Sequence, residues 1–110
     1  MKTNKSLSQL GMAMRAGKLI SGDEIVLKAV RQRKCKLVII AADASSNTKK
    51  KFADKCRTYG IQLAEAFDRE QLGKAIGKPD RVVLAITDTQ FAAMIASHLS
   101  YYTEVDPIEQ

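Results

Sequence analysis

Aromatic residues are scarce in this 110-residue sequence, which has no tryptophan and only three tyrosines and three phenylalanines. Proteins that hold unpaired nucleic-acid strands stack successive bases on aromatic side chains. So few rings argue against a surface of that kind. The core must instead be built from aliphatic side chains, which the 45% hydrophobic content supplies.

Metal-ligating residues are equally scarce. His98 is the only histidine, and Cys35 and Cys56 do not form a C-x-x-C pair. Zinc sites normally take four ligands from cysteine and histidine at close spacing. We therefore expect no metal and no cofactor, and we interpret the two cysteines as reduced residues of a cytosolic protein.

Long hydrophobic runs are absent as well. The longest run covers residues 37–42, whereas a membrane-spanning helix needs about 20 apolar residues. The first residues include lysines but no apolar segment typical of a secretion signal. These features predict a soluble cytoplasmic protein with no membrane partner.

Positive charge is abundant and unevenly distributed. The net charge is +6, but residues 1–57 hold 14 Lys and Arg against 4 Asp and Glu, whereas residues 58–110 hold 4 against 8. Segregation of this kind is typical of proteins that present one basic face to a polyanion.

Strand and helix patterns alternate along the chain. Residues 37–42 and 82–86 are unbroken apolar runs, as expected of strands buried on both faces of a sheet. Residues 18–20 and 61–67 add a short edge strand and another strand, and helical periodicity fills the intervals. The predicted fold class is α/β, a three-layer α/β/α sandwich with a small mixed sheet. Residues 1–99 are predicted to form a single domain, and residues 100–110 an acidic C-terminal tail.

Two capping boxes mark predicted helix starts. Ser21 with Glu24 fits the S-x-x-E pattern, and Asp68 with Gln71 repeats it. Glu24 then has two alternative roles, as a cap or as a contact to a ligand.

The helix after Ser21 is predicted to be amphipathic, with an apolar stripe of Ile25, Val26, Ala29 and Val30. The opposite face carries Glu24, Lys28, Arg31 and Gln32. Lys28 could bind a phosphate or pair with Glu24 one turn earlier. The run Lys49–Lys51 has two equally weighted interpretations: it could bind phosphates, or it could simply be solvated at the start of a helix. Gly73 and Gly77 are interpreted as packing and helix-ending residues.

Several strings resemble, in order, those of the kink-turn RNA-binding family of large-subunit ribosomal proteins, and most closely its bacterial YlxQ-type branch. They cover roughly residues 5–99 and are Ala16-Gly17-Lys18-Leu19, Ser21-Gly22, Lys28-Ala29-Val30, Lys36–Ala41 followed by Asp43-Ala44, and Gln71–Gly77.

The resemblance implies an RNA site at the N-terminus of the second helix, where the family carries G-x-N-E-x-x-K. It implies non-catalytic binding of structured, kink-turn-like RNA, with ribosomal RNA as the expected partner and no small-molecule substrate. The residues expected to contact RNA are Lys18, Ser21, Gly22, Asp23, Glu24, Lys28, Arg31, Asp43, Lys78 and Arg81.

Two residues depart from the family pattern between Gly22 and Lys28. Glu24 stands where the family has a base-reading asparagine, and Ile25 where it has glutamate. This difference favours recognition of RNA shape and backbone over readout of base edges.

Two other functions are compatible with an α/β chain of this length. One is an RNA-recognition remnant of a methyltransferase or a nucleotide-responsive domain, and the other is a protein–protein adaptor that uses the acidic second half. The sequence has no glycine-rich phosphate loop, catalytic dyad or nucleophile constellation. We therefore do not expect an enzyme.

Overall fold

Helices and strands alternate throughout the computed structural model, which describes residues 4–103 and the side chains of residues 5–99. The nine elements are α1 (Asn4–Arg15), β1 (Leu19–Ser21), α2 (Asp23–Arg31), β2 (Leu37–Ile40), α3 (Ser46–Tyr59), β3 (Gln62–Glu65), α4 (Arg69–Ala75), β4 (Val83–Ile86) and α5 (Thr89–Thr103).

The four strands form one mixed sheet in the order β1-β4-β2-β3. Strands β2 and β3 are parallel, whereas β4 is antiparallel to both β1 and β2. The short strand β1 lies at an edge, as predicted.

Strands β1, β2 and β3 therefore finish at one end of the sheet, where β4 begins. We call this the carboxyl end; it comprises residues 21–23, 41–45, 66–68 and 76–82. The other end, here the amino end, comprises residues 15–18, 32–36, 60–61 and 87–88.

The sheet is buried on both faces. Leu37, Ile39, Leu84 and Ile86 pack into one apolar cluster with α1, α4 and α5, and Val38, Ile40, Val83 and Ala85 pack into a second with α2 and α3. Each fully buried aliphatic side chain contributes about 1.5–3 kcal/mol. Burial on both faces explains the unbroken apolar runs and confirms the three-layer α/β/α prediction.

One of the two predicted capping boxes is present. The Asp68 carboxylate accepts a hydrogen bond from the Gln71 amide at 2.8 Å, and the Gln71 side chain accepts one from the Asp68 amide at 3.1 Å. Two amides at the start of α4 are thereby satisfied.

The capping box predicted at Ser21 is wrong. Ser21 is the last residue of β1 and pairs with Leu84, while Gly22 occupies the N-cap position of α2 without any side-chain cap. Gly22 has φ 107° and ψ 144°, a backbone conformation open to glycine. The chain thus turns one residue later than the pattern indicates, and the Ser21 hydroxyl accepts from Arg81 Nε at 3.3 Å instead.

The prediction that Ile25 belongs to the buried stripe is also wrong, because its side chain is 59% exposed. Ile25 is about 160° around the helix from Asp23, and Asp23 pairs with Lys51 of α3. Ile25 therefore lies on the side of α2 away from α3, where β1 ends the sheet and none of the described elements covers it. Leu27 is partly buried in the second cluster.

The last helix extends to Thr103 and so includes the first four residues of the predicted acidic tail. Residues 104–110 lie outside the described residues. Within the part of the chain that is described, no helix is long and apolar enough to cross a membrane.

Candidate nucleic-acid interface

The carboxyl end brings together most of the residues that the sequence predicts as RNA contacts. Its loops hold Ser21, Gly22, Asp23, Asp43, Lys78 and Arg81, and Glu24 lies in the first turn of α2. Lys28 follows one turn further along an exposed face of this helix. Two predicted residues are elsewhere. Lys18 precedes β1 at the amino end, and Arg31 is the last residue of α2.

Gly22 leaves the start of α2 without a side-chain cap. Its amide donates to the Val83 carbonyl at 3.1 Å, which fixes the turn against β4. A Cβ built on Gly22 would have nothing within 4 Å. No side chain caps the helix, so the amides of its first turn lack an internal acceptor. A phosphate could approach the backbone closely at this point.

Arg81 joins three parts of the carboxyl end. Besides the bond from Nε to Ser21, its Nη1 donates to the Asp80 carbonyl at 2.9 Å, and its amide donates to the Arg69 carbonyl at 3.1 Å. Its side chain therefore holds the loop before β4 against β1, and its guanidinium already has protein partners.

Asp43 is engaged in a second clamp at this end. Its carboxylate accepts from the amide of Arg69 at 3.0 Å and from Arg69 Nε at 3.3 Å, and its carbonyl accepts from Arg69 Nη2 at 2.7 Å. These three bonds tie the loop after β2 to the start of α4. Nothing in the sequence around Arg69 indicates this role, which depends on loops 26 residues apart.

Much of the positive charge at the carboxyl end is paired with acids. Lys51 lies 3.0 Å from Asp23, and Lys49 lies 3.0 Å from Glu65. The lysine run is thus largely an arrangement of surface ion pairs, each of which is worth about 0–1 kcal/mol.

Lys28 is different. It is exposed, and within residues 4–103 it has no ion pair, so the alternative pairing with Glu24 is not formed. Lys78 is also exposed and unpaired in this range. Lys28 on α2 and Lys78 in the loop before β4 are therefore free cations within the described range, as is the exposed Lys50 of α3.

Gly73 determines where the loop before β4 can lie. A Cβ at this position would come within 2.1 Å of the Pro79 carbonyl oxygen and 2.9 Å of the Lys78 carbonyl oxygen. Gly77 has φ 74°, in the left-handed region. The predicted packing and helix-ending roles of the two glycines are confirmed, and together they position Lys78.

The amino end holds a second group of cations. Arg15, Lys18, Lys34 and Lys36 are exposed there. The fifth, Arg33, has φ 54°, donates from Nε to the Tyr59 carbonyl at 3.2 Å and lies over the Tyr59 ring at 5.3 Å. Arg33 therefore links the ends of α2 and α3.

The two cysteines and the histidine serve the fold. Both thiols are free and buried. Burial, and secondarily the nearby Cys35, raises the pKa of Cys56 to about 11, and burial raises the pKa of Cys35 against the opposing effect of Lys36. His98 Nδ1 lies 3.1 Å from both Gln9 Oε1 and the Met94 carbonyl. Neither thiol is an activated nucleophile, since reactive cysteines have lowered pKa values.

Comparison with known proteins points in one direction. The model of the ribosomal protein L7Ae/L30e/S12e/Gadd45 family matches residues 4–97. The RNA-binding protein YlxQ of Bacillus subtilis is 47% identical over 90 residues, which are 82% of this chain and 90% of that protein. The large ribosomal subunit protein eL30 of Candida glabrata is 33% identical over 94 residues, covering 79% and 86%. A protein of unknown function from Bacillus halodurans, 44% identical, superposes with a TM-score of 0.85 over 87% of this chain and 97% of that one.

Proposed function

The chain belongs to the ribosomal protein L7Ae/L30e/S12e/Gadd45 family, and from this we propose that it binds structured RNA, without catalysis, at the carboxyl end of its sheet. The observation that carries the proposal is the uncapped start of α2, where Gly22 leaves the backbone open and Lys28 stands unpaired less than two turns further along the helix. Backbone amides and a lysine are complementary to phosphate oxygens.

The helix directions strengthen this interface. Helices α2, α3 and α4 all begin at the carboxyl end. A helix start carries a partial positive charge of about half an elementary charge. Ser45 caps α3 and Asp68 caps α4, so α2 is the one of these three helices whose first-turn amides have no side-chain acceptor.

The proposed RNA is a kinked duplex or internal loop that is recognised by shape. Glu24 and Ile25 stand at the two positions where the resembled family reads bases, and both are exposed. Glutamate can accept from cytosine N4 and isoleucine has no hydrogen-bonding group, so neither reproduces a bidentate amide contact. The backbone groups around Gly22 are independent of base identity.

A ribosomal RNA target in the cytoplasm is the proposed setting. It is supported by the family description and by the ribosomal identity of the eL30 relative.

The test is a binding titration with a kink-turn RNA hairpin at several salt concentrations. Lys28→Ala is expected to weaken binding and to reduce the slope of log affinity against log salt concentration by about one. The additional change Arg31→Ala is expected to reduce this slope by up to about one more, because one fewer counterion is released for each phosphate contact that is lost. Lys74→Ala, an exposed lysine of α4 on the other layer, is the matched control.

Equal affinities for the wild-type protein, Lys28→Ala and Lys74→Ala would show that α2 is not the interface. Failure of the wild-type protein to bind any kinked or internal-loop RNA would overturn the proposed function itself.

A further inference from the structure

The amino end has exposed cations that the proposed interface does not use. Within residues 4–103, Arg15, Lys18, Lys34 and Lys36 have no ion pair with an acid. Asp88 at this end and Asp54 of α3 have other partners. Asp88 accepts from the Phe91 amide at 2.9 Å and caps α5, and Asp54 pairs with Arg57 at 3.5 Å.

The sheet fixes the spacing of two of these cations. Leu19 and Leu37 pair with Ile86 from its two sides, so Lys18 and Lys36 flank the end of β4. The Lys36 amide donates to the Ile86 carbonyl at 2.7 Å, and the Thr87 amide donates to the Lys18 carbonyl at 2.9 Å. Two strand spacings separate the backbones by about 10 Å.

The negative ends of the helix dipoles balance only part of the positive side-chain charge at the amino end. Helices α1, α2 and α3 finish at the amino end, and each C-terminus carries about half a negative charge that favours nearby cations. Three helix ends amount to about 1.5 charges. Besides Arg33, which is bonded to the Tyr59 carbonyl, four exposed cations without an acid partner lie there within the described range: Arg15, Lys18, Lys34 and Lys36. A positive surplus therefore remains.

We propose that the amino end is a second nucleic-acid contact, which takes the phosphate backbone of a second RNA segment while the carboxyl end holds the first. This inference rests on the proposed function. A duplex carries about one charge per 1.7 Å of its axis, so a surface about 10 Å wide faces several phosphates. The contact reads no bases, because lysine and arginine side chains on phosphates carry no sequence information.

The experiment is a two-RNA capture assay. A biotinylated kink-turn hairpin is immobilised and loaded with the full chain, and a fluorescent straight RNA duplex is then added in low salt. The wild-type protein is expected to retain the duplex, and the double variant Lys18→Gln/Lys36→Gln to retain roughly fivefold less or lower, since two phosphate contacts are lost. Both residues are exposed and contact the sheet through backbone atoms, so the fold is expected to survive.

Two controls separate this inference from the proposed function. The variant Lys5→Gln/Lys74→Gln removes two exposed lysines of α1 and α4 and should retain the duplex as the wild-type protein does. The amount of each protein loaded on the hairpin is measured first. Equal loading of wild type and Lys18→Gln/Lys36→Gln keeps the carboxyl-end interface intact and isolates the amino end.

Duplex retention by Lys18→Gln/Lys36→Gln equal to that of the wild type would overturn the second contact while leaving the first in place. Capture of polyglutamate in place of the duplex would overturn it in favour of an acidic protein partner. Absence of loading on the hairpin would instead overturn the proposed function.

Discussion

The two ends of the sheet obtain their positive potential in different ways. At the carboxyl end three helices begin, and Lys49 and Lys51 are paired with acids. At the amino end three helices finish, and the cations there form no ion pair with an acid among the described residues. The first end offers an anion the uncapped amides of α2, and the second offers it side-chain cations. The positions of unpaired Lys and Arg therefore indicate the amino end as an anion-binding surface, whereas the backbone geometry indicates the carboxyl end.

The largest expected effect comes from Gly73, which packs against the loop before β4, and Gly17 at the amino end is the comparison. Gly73→Ala should destabilise the fold by about 3 kcal/mol, because its Cβ would meet the backbone of Pro79. Gly17→Ala at the amino end should cost only about 1 kcal/mol, since its φ is 73° but its surroundings are open. Urea unfolding of the two variants measures the difference. Equal losses would mean that the loop before β4 can move aside.

The next effect concerns the thiols beneath the amino end. Burial raises the pKa of Cys56 to about 11 from the usual value near 9, so the unfolded chain releases this proton at lower pH than the folded one. The unfolding free energy should therefore be intact below pH 9 and fall by about 2–3 kcal/mol by pH 11. Denaturant titrations across that range test this.

Cys56→Ala is the comparison for the thiol effect, because it removes the titrating group. Its unfolding free energy should fall less steeply between pH 9 and 11 than that of the wild type. Parallel pH profiles would assign the loss to other groups, such as exposed lysines.

The smallest expected effect tests the ion pairs at the carboxyl end. Asp23→Asn breaks the pair with Lys51, whose partners are 46% and 42% exposed, so the stability should change by less than about 0.5 kcal/mol. RNA affinity should rise about twofold, because a carboxylate leaves the start of α2 and a lysine is released. The same RNA titration measures it. Weaker binding by Asp23→Asn would show that Asp23 itself contacts the RNA.

Much of the fold could be predicted because burial leaves a mark on the sequence. The runs 37–42 and 82–86 are apolar throughout since both faces of β2 and β4 are covered. The Asp68–Gln71 box forms because β3 ends at Glu65, which leaves Asp68 outside the strand and in position to cap α4. The equivalent pattern at Ser21 failed, because pairing with Leu84 extends β1 to include Ser21 and only the glycine that follows can make the turn.

The candidate site was less predictable, because which residues come together depends on strand direction. Lys18 and Gly22 are close in sequence, but β1 runs between them and carries them to opposite ends of the sheet. Asp43 and Arg81 were expected as contacts, and the structure gives them partners in Arg69 and Ser21 that no local pattern indicates. Their contacts to RNA stay predictions. The exposure of Ile25 depends on β1 being the sheet's edge.

The backbone hydrogen bonds that hold Lys18 and Lys36 on either side of β4 also have an entropic consequence. Their Cα positions are held by ladder hydrogen bonds, so binding a second RNA would cost side-chain freedom only and no ordering of a loop. The strands between the two ends are four residues long or fewer, which corresponds to about 13 Å. A protein holding one RNA segment at each end would therefore act as a rigid spacer of nearly constant length, and RNA architecture would have to fit that length.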